Sequence, residues 1–255
     1  LLKLVTFNLW FDEYRWEERL AAALGAIADC RADVVGLQEV TPRQLERILS
    51  TDWLRDRYQV SDASGETVQP HGAVLLSRLP MHALALCPLP SQKDRKLLVA
   101  EIGTRCGALY VGTLHLESSP ENTASRLEQL DRVLPGLHGA DQAVLMGDFN
   151  FDPMDLSEQS RIEGRYADLW PTLRGEEPGY TADSERNAMR FAHKQVHKRV
   201  RFDRILLRSA GAVWRPVSVD LIGTAPISAA HPEVYPSDHF GVCGVLACTP
   251  SEPPC

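Results

Sequence analysis

The sequence has no long apolar run. Stretches such as 83–86 and the interrupted 241–248 fall far short of the roughly 20 residues a membrane span needs, so a transmembrane protein is excluded. Basic residues are not in surplus either: 27 Lys and Arg face 34 Asp and Glu, a formal net charge of -7. A protein that coats nucleic acid by bulk electrostatics carries the opposite balance, because it must displace counterions from phosphates. A locally basic groove stays open, and residues 193–204, HKQVHKRVRFDR, gather Lys194, Lys198, Arg199, Arg201 and Arg204. A solvated basic face is the other reading of that segment. No CxxC pair occurs among the six scattered cysteines, which argues against a zinc ribbon or a thioredoxin-like motif. Reduced thiols in a cytoplasm-like compartment, or in the nucleus of a eukaryotic host, are the expectation. No charged-then-apolar leader precedes Leu1, but an initiating Met is missing too, so a removed leader or an upstream domain stays open. Repeats, low-complexity tracts and a convincing domain boundary are all absent.

What is present suffices for a substantial core: 255 residues, 44% of them hydrophobic and 24% charged. A single domain over 1–255 is expected. LLKLVTFNLWF opens as a buried strand that meets a polar Asn8 where the apolar run ends. In EYRWEERLAAALGAIADC, Trp16, Leu20, Leu24 and Ile27 recur on one helical face. ADVVGLQEV reads as a short buried strand ending in Gln38 and Glu39. TPRQLERIL then starts a helix, with Thr41 as N-cap and Pro42 in the first turn. YQVS, GAVLLS, ALALC, KLLVAEIG and ALYVGTLHL follow as a run of antiparallel strands. A helix is expected from Ser119 and Pro120 through Leu127, Leu130 and Leu134, and AVLMGDF returns to the sheet. Residues 152–199 have poor periodicity and read as long functional loops. FDRILLR, VSVDLIG and DHFGVCGVLA close the chain as strands. This order fits one α/β or α+β domain built on mixed sheets.

Several of these strands end on residues of catalytic type: Asn8, Glu39, His115, Asp148 with Asn150, and Asp238 with His239. Singly, each is an ordinary turn residue or a satisfied core group. Together, a buried set holding Glu39, Asp148 and Asp238 repels itself unless a cation or protons compensate it. Oxygen donors of this type select a hard ion, Mg2+ or Mn2+ in its place. Cysteine is missing from the set, which argues against zinc, although the histidines keep zinc open as a lesser alternative. Phosphoryl chemistry uses every part: a metal polarises the phosphodiester, a carboxylate activates water, and histidines neutralise developing charge.

TFNLW, GLQEV, TLHLES, GDFN, RFDRI and SDHFGV occur in the order found in the DNase I-like endonuclease/exonuclease/phosphatase superfamily, which the chain resembles over nearly its whole length. HLES, RVRFDRILLR, SVDLIG and YPSDHFGV look most like its tyrosyl-DNA phosphodiesterase branch, whose members cleave a 5′-phosphotyrosyl bond to DNA. The resemblance implies a four-layer sandwich of two mixed, mostly antiparallel β-sheets flanked by helices. It implies a metal-dependent phosphodiesterase that acts by single-step attack of an activated water. Glu39 would bind Mg2+ directly, with Asp238 beside the metal and its water shell, and Asn8 near the metal and the attacking water or phosphate. Asp148 would activate the water, Asn150 would help hold it, and His239, oriented by Asp203, would donate to the phosphate. His115 and Ser118 would contact the phosphate from the other side, although Ser118 also reads as a helix cap. Arg201 of the basic segment is expected to bind substrate. Gln38 reads as a structural hydrogen-bonder beneath the metal ligand, and Glu117 is left outside the site.

The implied substrate is a phosphodiester in nucleic acid, single-stranded or end-linked DNA, and a monomer is expected. Two positions depart from the branch. Asp152 stands where an Arg poised over substrate is usual, and Ala182 where a Trp packs against it. Losing a cation and a stacking surface weakens a grip on single strands, since stacking contributes about 1–3 kcal/mol per contact. A general nuclease, or a phosphodiesterase or phosphatase acting on small molecules or lipid head groups, is therefore the alternative.

Overall fold

A strand that is apolar on both faces needs cover on both sides. In β1 (Leu2–Asn8), Leu2 and Leu4 turn to one core while Val5 and Phe7 turn to another. The computed structural model describes residues 1–249. From β1 the chain runs through α1 (Trp16–Cys30), β2 (Val34–Val40), α2 (Pro42–Ser50), α3 (Asp52–Arg55), β3 (Gln59–Val60), β4 (Gly72–Ser77), β5 (Met81–Pro88), β6 (Lys96–Thr104) and β7 (Gly107–His115). It continues as α4 (Thr123–His138), β8 (Gln142–Asp148), α5 (Leu156–Ile162), β9 (Ala167–Asp168), α6 (Leu169–Arg174), β10 (Ala182–Asp183) and α7 (Ala188–Lys194). The last elements are β11 (Arg199–Val200), β12 (Asp203–Ser209), β13 (Trp214–Ile222) and β14 (Gly241–Cys248).

Two six-stranded sheets result, ordered β13-β14-β1-β2-β4-β3 and β5-β6-β7-β8-β12-β9, with β10 and β11 forming a separate pair. Each large sheet has one parallel pair, β1 with β2 and β7 with β8, and is otherwise antiparallel. The inner core joins Leu4, Val34 and Leu75 of the first sheet to Val111, Met146 and Ile205 of the second. Leu20, Leu24 and Ile27 of α1 and Leu45 and Ile48 of α2 cover the outer face of the first sheet. Leu130, Leu134 and Leu137 of α4 cover Ala143, Leu145 and Leu206 on the second. The four layers expected from the resemblance are thus present, each fully buried aliphatic side chain contributing roughly 1.5–3 kcal/mol. The sheets approach closely at Gly36, where a Cβ would lie 2.7 Å from Thr113 Oγ1. Beside it Gln38 Nε2 donates to Thr6 Oγ1 at 3.1 Å and to Thr113 Oγ1 at 2.8 Å, a polar strut between the sheets and the structural role expected of it.

Thr41 caps α2 as expected, in a reciprocal capping box with Gln44. Ser119, expected to cap a long helix, heads only a 3-10 turn at Pro120–Asn122, and α4 begins at Thr123. Residues 152–199, expected as loops, hold three short helices capped by the side chains of Asp155, Asp168 and Asn187. Helices of six or seven residues are too brief to leave a readable hydrophobic period. The expectation of reduced thiols is also corrected. Cys106 and Cys248 form a disulfide between the β6–β7 turn and the end of β14, across 142 residues of sequence, while Cys30, Cys87 and Cys243 are free and Cys255 lies outside the described residues. Spacing along the chain carries no signal for a pair that only the packing of two sheets brings together. Among the described residues no helix is long and apolar enough to cross a membrane.

Candidate active site

Strand register lines up the centre of the site. His115 is the partner of Asp148 across β7 and β8, and Asp148 is the partner of Asp203 across β8 and β12, so three neighbouring strands present three catalytic-type side chains in a row. Gly147 makes the alignment possible. Its φ is 145°, and a Cβ there would lie 2.0 Å from the Leu114 carbonyl oxygen. The first sheet contributes Asn8 from the end of β1, whose Nδ2 donates to Asp148 Oδ2 at 3.0 Å. Glu39 projects from a break in the β2–β4 register between Leu37 and Val40, with φ 59°. That irregularity turns its carboxylate from the ladder toward the site. Phe11 N–H donates to Glu39 Oε2 at 3.2 Å, and Glu39 Oε1 lies 3.9 Å from His115 Nδ1. Trp10, Glu39 and Asn150 all take positive φ here, the clustering of backbone strain that marks functional sites.

Two histidines face Asp148 in different states. Arg95 Nη1 lies 2.9 Å from His115 Nδ1, and since a guanidinium only donates, Nδ1 accepts and the proton sits on Nε2. That Nε2 is 3.4 Å from Asp148 Oδ2. Burial, then the nearby Arg95 and His239 charges, hold the His115 pKa well below the ordinary value, so this imidazole is neutral. His239 has its Nδ1 2.8 Å from Asp203 Oδ2 and 3.8 Å from Asp148 Oδ2. Burial opposes its charge, but Asp203, Asp238 and Asp148 outweigh burial and raise the imidazolium to about 9. Its Nδ1 is committed to Asp203, which leaves Nε2 as the free donor.

Two of the carboxylates are raised as well. Burial, then Asp238, raises Glu39 to about 6 against the pull of His239 and the Phe11 N–H. Burial, then Asp203, raises Asp148 to about 6, although it accepts from Asn8 and from Asn150 N–H at 2.9 Å. Asp238 behaves differently. Burial pushes it up, yet His239, Arg190, Lys194 and Arg19 hold it below the ordinary value, with Arg190 Nη1 at 3.1 Å and Lys194 Nζ at 3.5 Å.

This donor set fits a hard divalent cation. Asp148, Asp203 and His239 bring ligand atoms within 4.8 Å of one another, a possible metal site. Burial, and then a neighbouring carboxylate, disfavours the charge on both Glu39 and Asp148, a penalty that a bound cation would offset. Asp203 Oδ1 is buried without a protein partner among the described residues.

Of the residues picked from sequence, Asn8, Glu39, His115, Asp148, Asn150, Asp203, Asp238 and His239 gather at this one edge of the two sheets. Asn150 Nδ2 donates to the Leu116 carbonyl at 3.0 Å. Ser118 takes a hydrogen bond from Lys93 and caps no helix. Arg201 goes elsewhere, paired with Asp168 at 2.7 Å and lining a different cavity, of about 400 Å³, with Trp170 and Tyr180. Phe202 faces His239 in its place, ring centroids 6.1 Å apart. Glu117 lies outside the site and accepts from Gln92 N–H at 3.2 Å. Sequence reading missed Arg95 and Arg190, since neither ends a strand or belongs to a recognisable spacing.

A buried Asp148, Asp203 and His239 cluster on the strand ends of a four-layer sandwich is the arrangement of a DNase I-like phosphoesterase. The Endonuclease/Exonuclease/phosphatase family model matches residues 5–239, and the chain belongs to that family. Among named relatives, it is 30% identical to Tyrosyl-DNA phosphodiesterase 2 of Xenopus laevis over 93% of this chain and 65% of that protein, and 27% identical to the Homo sapiens protein over 95% and 67%. The chain thus spans about two thirds of their length. The crystal structure of D. rerio tyrosyl-DNA phosphodiesterase 2 complexed with single strand DNA product aligns with a TM-score of 0.84 at 26% identity, covering 96% of this chain and 98% of that one. A Bacteroides thetaiotaomicron mannosyl-6-phosphatase shares the fold at 17% identity and a TM-score of 0.76.

Proposed function

We propose that this phosphoesterase hydrolyses 5′-linked phosphodiesters of nucleic acid, such as 5′-phosphotyrosyl-DNA, in one step. The observation that carries the reading is the adjacent pair of Asp148 and His239: a carboxylate raised to about 6 beside an imidazolium raised to about 9. At neutral pH the carboxylate is then largely ionised and the imidazolium still carries its proton, the states a base and an acid need. Asp148, steadied by Asn8 and Asn150, accepts the proton of the attacking water. His239, held by Asp203, donates through Nε2 to the charge that develops on the phosphate. Neutral His115 donates from Nε2 on the other side, its ring fixed by Arg95. Glu39 would hold Mg2+, or Mn2+ in its place, and the ion would supply polarisation of the phosphate oxygens. Asp238, paired with Arg190 and Lys194, would stand beside that ion and its water shell. The likeness to tyrosyl-DNA phosphodiesterase 2 supports the nucleic-acid substrate.

Incubation with a 5′-phosphotyrosyl oligonucleotide and Mg2+ is expected to release a 5′-phosphate end, and chelation to stop it. No turnover, or turnover unchanged in Asp148→Asn, overturns the proposal. A second reading, a phosphorylated small molecule as substrate, is favoured by two positions. Ala182 is buried in β10, and Asp152 Oδ1 is engaged by Met154 N–H at 2.9 Å, so neither offers a stacking face or a cation. Comparing kcat/KM across nucleic-acid and small phosphate esters decides between the two.

A further inference from the structure

The basic segment 193–204 is almost fully neutralised by acids. Lys194 pairs with Asp238, Arg199 Nη1 with Glu185 at 2.8 Å, and Arg201 and Arg204 both with Asp168, at 2.7 and 2.8 Å. Lys198 is the exception: it forms no ion pair among the described residues. Its backbone is pinned on both sides, since Lys198 N–H donates to Ser184 Oγ and the Lys198 carbonyl accepts from Ser184 N–H, each at 2.9 Å. Its half-buried Nζ lies 5.0 Å from the centroid of Phe202, the ring whose other neighbour is His239.

Lys198 lines a cavity of about 190 Å³ that also holds the catalytic Asn150, together with Phe151 and Phe202. The other charges around this cavity are already engaged. Arg126 is bound to Glu158 at 3.0 Å and to the carbonyls of Glu117 and Ser119. Asp152 accepts from Met154 N–H, and Asp155 accepts from Ser157 N–H and Oγ. A point charge on a flexible stem, held over an aromatic ring beside a phosphate-cleaving centre and lacking an acid partner, has the form of a phosphate ligand. Burial lowers its pKa, which marks an ammonium whose charge the protein leaves incompletely solvated.

We infer that Lys198 is a specificity-determining residue that binds the phosphate adjoining the scissile one in a nucleic-acid strand. The inference rests on the nucleic-acid reading proposed above. It places the cation of the strand-binding groove on the segment before β12, whereas position 152, after β8, carries an acid.

The test compares wild type, Lys198→Met and Lys198→Arg on two compounds with Mg2+: a 5′-phosphotyrosyl oligonucleotide, and the p-nitrophenyl ester of thymidine 5′-monophosphate, which has the scissile diester but no adjoining phosphate. Lys198→Met is expected to lower kcat/KM on the oligonucleotide about tenfold, chiefly through KM, with a much smaller change on the short ester. Lys198→Arg restores most of the loss. The slope of log(kcat/KM) against log salt becomes shallower by about 0.7 in Lys198→Met, one phosphate contact to a single strand. Equal losses on both compounds, or an unchanged salt slope, overturn the inference and leave the proposed activity standing. Wild-type protein that cleaves neither compound overturns both.

Discussion

His239 Nδ1 and Asp203 Oδ2 lie 2.8 Å apart with both side chains buried, and Asp148 Oδ2 is 3.8 Å from the same nitrogen. One imidazolium is thus held between two buried carboxylates, the nearer of which orients it and the farther of which is the base proposed above.

Removing the orienting charge tests that arrangement. Asp203→Asn deletes the foremost contributor that keeps His239 at about 9. A raised histidine is protonated below its folded pKa and loses the proton as pH rises through it, so the alkaline limb of the pH–rate profile moves from near 9 toward neutrality. The rate at pH 7.5 falls by about 10²–10⁴. An alkaline limb left in place shows that His239 does not act as the acid.

Glu39 provides a test that needs no substrate. Its folded pKa of about 6 lies above the ordinary 4.5 of the unfolded chain, so in metal-free protein its charge destabilises the fold at neutral pH, and stability is recovered as pH falls through 6 toward 4.5. Metal-free Glu39→Gln is therefore more stable than wild type by about 2 kcal/mol at pH 7.5, an advantage that disappears by pH 4.5. Urea unfolding at the two pH values measures it.

Divalent metal reverses the order. Saturating Mg2+ stabilises wild type, by about 2.7 kcal/mol at a hundredfold excess over Kd, and leaves Glu39→Gln unchanged. Protection that survives in Glu39→Gln places the ion on other ligands, the Asp148, Asp203 and His239 group foremost.

The Cys106–Cys248 bridge closes a loop of 142 residues between the two sheets. Its loss in Cys106→Ser costs about 2–5 kcal/mol. Urea denaturation with and without reductant reads the same difference in wild type.

Gly147→Ala places a Cβ against the Leu114 carbonyl at 2.0 Å in a backbone conformation that L side chains avoid. It is expected to destabilise the protein by at least about 1–3 kcal/mol and to lower activity with any substrate, since β8 must move and Asp148 moves with it. Thermal unfolding and the phosphodiesterase assay, run on the same preparation, check both.

Much of the frame is readable along the chain, because local chemistry produces it. The alternation of Leu4 with Val5, the Thr41 capping box and the polar residues that end β1, β7 and β8 depend on neighbours a few positions away. Six short motifs in order then pointed to the family. Short helices within 152–199 stayed hidden because their caps, not a hydrophobic period, define them.

The sequence by itself determined which side chains could do the chemistry, and that buried carboxylates among them would need compensation by protons or metal. Only the tertiary structure decided which charges remain free. Arg201 looks as available as Lys198 in the sequence, yet Asp168 neutralises one and nothing described pairs with the other. Arg95 carries no motif, yet it sets the tautomer of His115. Electrostatic roles depend on partners 20 to 33 residues away for these two arginines, and on 142 residues for the disulfide. Such distances are closed by strand order and sheet packing, which no local pattern encodes.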